Sequence, residues 1–226
     1  MVGRLGRDFM TTNEPASPDD QQKRLTEVIL KGDEVDSERI ARELSRGRMQ
    51  TNDVVDTISE TMNIVADLHE VERYTPQQVE NCERAAEKAL EAVRPRIKVE
   101  QRKITGKVMV TSLRGDPHTF DKTLLLTMLE IGGFSALDGG GELTPDDISR
   151  KVTAAKPDVV AIPLVTNSGV QGLMETRNKL TTTGAKTRII AYGRGIVGLP
   201  SDKGSIAAEE DSLGALSKIA EILMSK

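Results

Sequence analysis

Near residue 100 this 226-residue chain changes its apolar periodicity. Before that point every apolar run has helical spacing; after it, short β-branched runs alternate with helical ones. A chain built that way cannot form one uniform layer. It predicts a helical bundle followed by a separate α/β unit.

Four helices are expected in the first half. Ser17-Pro18-Asp19-Asp20 reads as a helix start: a hydroxyl N-cap, proline at the first position, then acids against the macrodipole. Leu25, Val28, Ile29 and Leu30 follow, and Gly32 ends the run. Ser37 is expected to cap a second helix through Ile40, Ala41 and Leu44, closed by Gly47. Thr51 opens a third, with Val54, Val55, Ile58, Met62, Val65 and Leu68 at spacings of three and four. Thr75-Pro76 opens a fourth, which Pro95 stops. Short connections between amphipathic helices suggest a small bundle. Residues 96–106, "RIKVEQRKITG", are charged and poorly patterned, and read as a linker.

From residue 107 the expected strands are "KVMVTSL" (107–113), "FSALD" (134–138), "DVVAIPLV" (158–165), "RIIAY" (188–192) and "SIAA" (205–208). Helices are expected over 120–131, from Thr144-Pro145-Asp146-Asp147 to Ala155, over 169–183 and over 211–226. The alternation predicts a parallel sheet flanked by helices. The domain reading is a disordered extension (1–16), a four-helix cap (17–95), a linker (96–106) and an α/β domain (107–226).

Composition narrows the function. A net charge of −4 gives no general reason to expect nucleic acid or an anionic membrane as partner. No apolar run approaches the ~18 residues that span a bilayer. The start, "MVGRLGRDFMTTNEPASPDD", lacks the apolar region of a secretory signal. One cysteine, Cys82, excludes an internal disulfide and fits a reducing cytosol. "DGGGE" (138–142) lacks the Lys-Ser/Thr of a phosphate loop and reads as a turn.

The segment "GDPHTFDK" (115–122) follows the carboxyl end of the first strand, the edge where parallel sheets bind ligands. A histidine in a polar loop is ordinarily just solvated. Here Asp116 can take the Nδ1 proton of His118 and leave Nε2 free for a metal. No other His or Cys lies nearby to complete a zinc site. A metal on His118 alone would have to bring most of its own ligands, as a macrocycle does.

The same residues resemble the Asp-x-His-x-x-Gly loop of cobalamin-binding domains. Asp116 and His118 match it, and Asp121 stands where glycine is usual. "TMLEIGGFSALDGGGELTPDDI" is similar to the family's next helix, strand and turn, with Gly140 at the usual glycine. "LTEVILKGDEVDSERIARELSRG" and "DTISETMNIVADLHEVERYTPQQVENCERAAEKALEAVRP" resemble the helical cap of methyltransferase corrinoid proteins. The resemblance covers about residues 20–226 and implies a flavodoxin/Rossmann-like five-stranded parallel sheet behind a four-helix bundle.

It also implies a function. The chain would be the cytoplasmic, corrinoid-carrying subunit of a methyltransferase system. It would take a methyl group on cobalt(I) from a small donor and pass it to a second methyltransferase, with no catalytic residue of its own. Its cofactor would be cobalamin or a related corrinoid, with His118 as lower axial cobalt ligand. Implied binding residues are Asp116, Thr119, Phe120, Asp121, Gly140, Pro163, Val165, Thr166, Asn167, Tyr192, Gly193 and Arg194, with Met62 and Leu68 on the cap. Partners would be a substrate-specific and an acceptor methyltransferase, with a corrinoid-reactivating protein as a further candidate. Nucleic acid and membrane are not expected. Two departures stand out. The family places a serine where Pro163 stands, and a Gly-Gly pair where Tyr192-Gly193 stands; both contact the cofactor's nucleotide tail. Two other readings stay open: the cobalamin-binding subunit of an adenosylcobalamin mutase, and a regulatory or interaction protein with a degenerate corrinoid pocket.

Overall fold

A computed structural model describes residues 17–47, 50–97, 106–116, 119–165, 167, 169–200 and 205–225. Residues 1–16, read above as an extension, and 98–105, most of the expected linker, lie outside the described residues. So do His118 and Thr166.

The first half is helical: α1 (Pro18–Leu30), α2 (Glu34–Arg46), α3 (Thr51–Glu70) and α4 (Pro76–Val93), the last followed by a 3-10 turn, Arg94–Arg96. Helix α4 begins with a capping box. The Thr75 side chain accepts from the Gln78 N–H, and the Gln78 side chain accepts from the Thr75 N–H. Helix α2 departs from expectation. Its cap is Asp33, whose Oδ1 accepts from the Asp36 N–H at 3.0 Å, four residues before Ser37. Gly32 takes φ +71°, and the Asp33 N–H bonds back to the Val28 carbonyl, so the chain leaves α1 already turned into Asp33. Ser37 is left inside the helix, buried.

The second half holds β1 (Lys107–Leu113), α5 (Phe120–Ile131), β2 (Ser135–Leu143), α6 (Pro145–Ala155), β3 (Val159–Pro163), α7 (Gly169–Thr182), β4 (Arg188–Tyr192), β5 (Ile206–Glu209) and α8 (Ser212–Met224). The strands form one parallel sheet in the order β2-β1-β3-β4-β5. Chain order reverses between β1 and β3, so the crevice at their carboxyl ends is the topological switch point. Side chains alternate along β1. Val108 and Val110 join the core beneath α5 and α8, while Met109 and Leu113 join that beneath α6 and α7.

The expected turn "DGGGE" lies inside β2, which runs on to Leu143. Val110 pairs with Asp138 and Thr111 with Gly140, so Gly139 is an extra residue, a β-bulge. A Cβ on Gly139 would come within 2.9 Å of the Thr111 Cβ and 3.1 Å of the Val110 carbonyl oxygen. The glycines serve close strand approach, not chain reversal.

The bundle is not a free-standing lobe. Phe120, Leu124 and Met128 of α5 belong to the same apolar core as Leu25, Ile58, Leu90 and the other bundle residues. Arg94 adds an ion pair to Glu130 at 2.5 Å.

Candidate functional site

Asp116 is 1% exposed, three residues beyond the end of β1. Its Oδ2 accepts from the Val165 N–H at 2.9 Å, just past the end of β3. That bond crosses the switch point and ties the two central strand ends together. Its Oδ1 is buried with no hydrogen-bond partner among the described residues. A buried carboxylate oxygen left open is costly, so its presence marks a place for a donor.

Around this centre the backbone is tightly held. The Leu164 N–H donates to the Tyr192 carbonyl at 2.7 Å, and the Gly195 N–H donates to the Leu164 carbonyl at 2.7 Å. Gly193 has φ +104° and donates its N–H to the Glu209 carbonyl at 3.0 Å. Pro163, the last residue of β3, is buried and pairs with Tyr192. The pairing of β3 with β1 stops at Ala161, so the missing proline N–H falls where the strands have parted.

Tyr192 is fully buried, and its hydroxyl donates to the Asp121 carbonyl at 3.1 Å. Burial, with a smaller push from Asp121, raises the phenol well above its ordinary range, so it stays a donor. On β2, Asp138 Oδ1 accepts from Lys122 Nζ and from the Gly140 N–H, each at 2.8 Å. Burial opposes the Asp138 charge, but those two bonds outweigh it and hold the carboxyl below its usual range.

Other candidates lie elsewhere. Phe120 and Met62 are packed in the shared bundle core. Leu68 is half-buried, and its carbonyl accepts the N–H groups of Arg73 and Tyr74. Thr119 is exposed and donates to Glu87 of α4 at 2.5 Å. Gly140 has φ +93° and open space where a Cβ would sit. Asn167 is exposed, its side chain against Gly198. Arg194 faces the bundle: it donates to Asp67 Oδ1 at 2.8 Å and Glu70 Oε2 at 2.9 Å, both on the last turn of α3.

These ion pairs are well exposed, so Arg194→Ala should cost under about 1 kcal/mol, and less as salt rises. Amide exchange in the last turn of α3 should quicken. A loss above roughly 2 kcal/mol in a denaturant melt would refute this weak-seam description.

Several residues here gave no signal on their own. Asp67, Glu70 and Glu87 look like any solvated helical acids. Ser112 gave none either, sitting beside a second hydroxyl, Thr111, in the same strand; its Oγ is buried with no partner among the described residues.

A four-helix cap sharing its core with the first helix of a flavodoxin-like sheet defines the class of fold. No family model matches the chain. It is similar to "Trimethylamine corrinoid protein 2" of Methanosarcina acetivorans, 24% identical over 107 residues, 46% of this chain and 49% of that one. The match thus spans about half the length of such curated relatives. Among solved structures, the Methanosarcina barkeri monomethylamine corrinoid protein matches at TM-score 0.74 and 18% identity, over 91% of this chain and all of that one. A chain of the methanol:cobalamin methyltransferase complex from the same organism matches at TM-score 0.50 and 16% identity, over 98% of this chain and 90% of its own. At those identities the likeness shows the fold. The resemblance to methyltransferase corrinoid proteins therefore holds in both sequence and architecture. No helix among the described residues is long and apolar enough to cross a membrane.

Proposed function

We propose that this chain is the corrinoid-carrying subunit of a methyltransferase system. The observation that carries the reading is Asp116: buried at the switch point, one oxygen held by the Val165 N–H, the other without a partner among the described residues, two residues before the histidine. A carboxylate so placed fits the support of a metal-binding imidazole. The domains fit the same reading: residues 17–95 as cap, 96–106 as connection and 107–226 as the cofactor-binding unit.

Bound at this edge, a corrinoid supplies a cobalt centre that can take up and release a methyl group. His118 would hold that metal through its imidazole. Asp116 would hold the Nδ1 proton of that imidazole and so select the tautomer with Nε2 free. The cap, which meets the sheet edge through the exposed pairs of Arg194 with Asp67 and Glu70, would shield the methyl between transfers. One methyltransferase would load the methyl from a small donor and a second would remove it, with a reactivating protein as a further partner in the cytoplasm. The likeness to a chain of the methanol:cobalamin methyltransferase complex supports such partnership.

Anaerobic reconstitution with several corrinoids, followed by absorption spectra, tests this. The wild type should take up a corrinoid with an imidazole-ligand spectrum. His118→Ala should lose that signature, and Asp116→Asn should weaken retention roughly 10- to 100-fold. Identical spectra and uptake in wild type and His118→Ala would remove the axial-ligand role. A colourless protein with every corrinoid would leave the degenerate-pocket reading instead.

A further inference from the structure

We infer that Tyr192 makes this site selective for corrinoids without a bulky lower nucleotide. The inference rests on the corrinoid reading above and names the class of cofactor that the site takes.

The chemistry sets the requirement. In a complete cobalamin a nucleotide arm hangs from the lower face of the ring and ends in a benzimidazole. When a protein imidazole takes the lower position, that base is displaced, yet its arm stays on the same face. With His118 holding the metal, that face would be turned to the strand ends, and the arm would have to pass down between the sheet and the helices on one side or the other.

Among the described residues, both ways are closed. On the α5 side, Val110 pairs with Ala161, so two residues further along the same face come Ser112 on β1 and Pro163 on β3; Pro163 in turn pairs with Tyr192 on β4. Tyr192 belongs to the apolar core with Val110, Leu125 and Ala161, and no part of it reaches solvent. Its hydroxyl spans to the Asp121 carbonyl in the first turn of α5, so the ring and its bond close the gap between β4 and α5. On the other side, Leu113, Leu164 and Leu173 are buried in one core. There even a Cβ on Gly169 would come within 2.6 Å of the Leu164 side chain. Interiors packed in this way do not admit a benzimidazole without rearrangement.

The polar partners tell the same story. Pro163 offers no hydroxyl. The Ser112 Oγ, one strand over on the same face, lies buried and unpartnered among the described residues. A slot opened by removing the tyrosine ring would expose that hydroxyl to whatever entered.

The experiment compares hydroxocobalamin with aquacobinamide, which lacks the nucleotide. Each is titrated against the full chain and read by absorbance and by retention on gel filtration. Wild type should retain cobinamide at least roughly tenfold more tightly than hydroxocobalamin. Tyr192→Gly should raise hydroxocobalamin affinity by a similar factor and leave cobinamide little changed. Tyr192→Phe, which keeps the ring and loses only the bond to Asp121, should keep the preference. The wild-type comparison stands alone if Tyr192→Gly does not fold. Equal or tighter binding of hydroxocobalamin by wild type would overturn the inference and leave the corrinoid reading intact. Retention of neither corrinoid would overturn the corrinoid reading, and the selectivity with it.

Discussion

Phe120→Ala is expected to destabilise the whole molecule by about 3–5 kcal/mol. The residue opens α5 in the sheet domain, yet it is 4% exposed and packed in the core of the bundle. Removing the ring leaves a cavity that rigid helices on both sides fill only in part. Leu124 and Met128 lie one and two turns further along the same face and share that core. The loss should therefore loosen the bundle from α5 as well as lower global stability. A denaturant melt gives the first effect. Limited proteolysis between the bundle and β1 gives the second. A loss below roughly 1 kcal/mol would mean that the ring does not bridge the two halves.

Gly193→Ala should cost roughly 2–6 kcal/mol, combining a backbone strain of about 1–3 with an overpacking cost of about 1–3. Gly193 has φ +104° and ψ +172°, a region that L-residues other than glycine scarcely enter. A Cβ there would lie 2.8 Å from the Leu164 carbonyl oxygen, which is backbone and itself accepts from the Gly195 N–H. Rotating the peptide away would break the bond from the Gly193 N–H to the Glu209 carbonyl. The strain has no cheap outlet. A measured change under about 1 kcal/mol would show that the end of β4 can shift freely.

Much of this architecture was legible before any coordinates. Thr75-Pro76 and Thr144-Pro145 announced helix starts because a hydroxyl cap followed by proline leaves the backbone few alternatives. Asp116 stood out because it precedes His118 by two residues at the edge where parallel sheets bind ligands. The burial of Tyr192 was not among the expectations; strand parity puts it on the same face as Ile190, which is core.

Other features were hidden for physical reasons. Asp33 and Ser37 are both good caps, and the choice fell to the left-handed turn at Gly32. The glycines of β2 have no side chains, so no periodicity could betray a strand with a bulge in it. Arg194 meets acids 124 and 127 residues earlier, a pairing that only the folded chain brings about.

The bundle meets the sheet domain along two unlike borders: hydrocarbon on the α5 side, exposed charge on the α3 side. Cold weakens the first kind of contact and dissolved ions weaken the second. The molecule thus has a spine and a mouth. At moderate ionic strength and ordinary temperature it should part at Arg194 while staying bound at Phe120. An enzyme that must reach the strand ends would then come in past the tip of α3, and basic side chains on its surface could draw Asp67 and Glu70 away from Arg194.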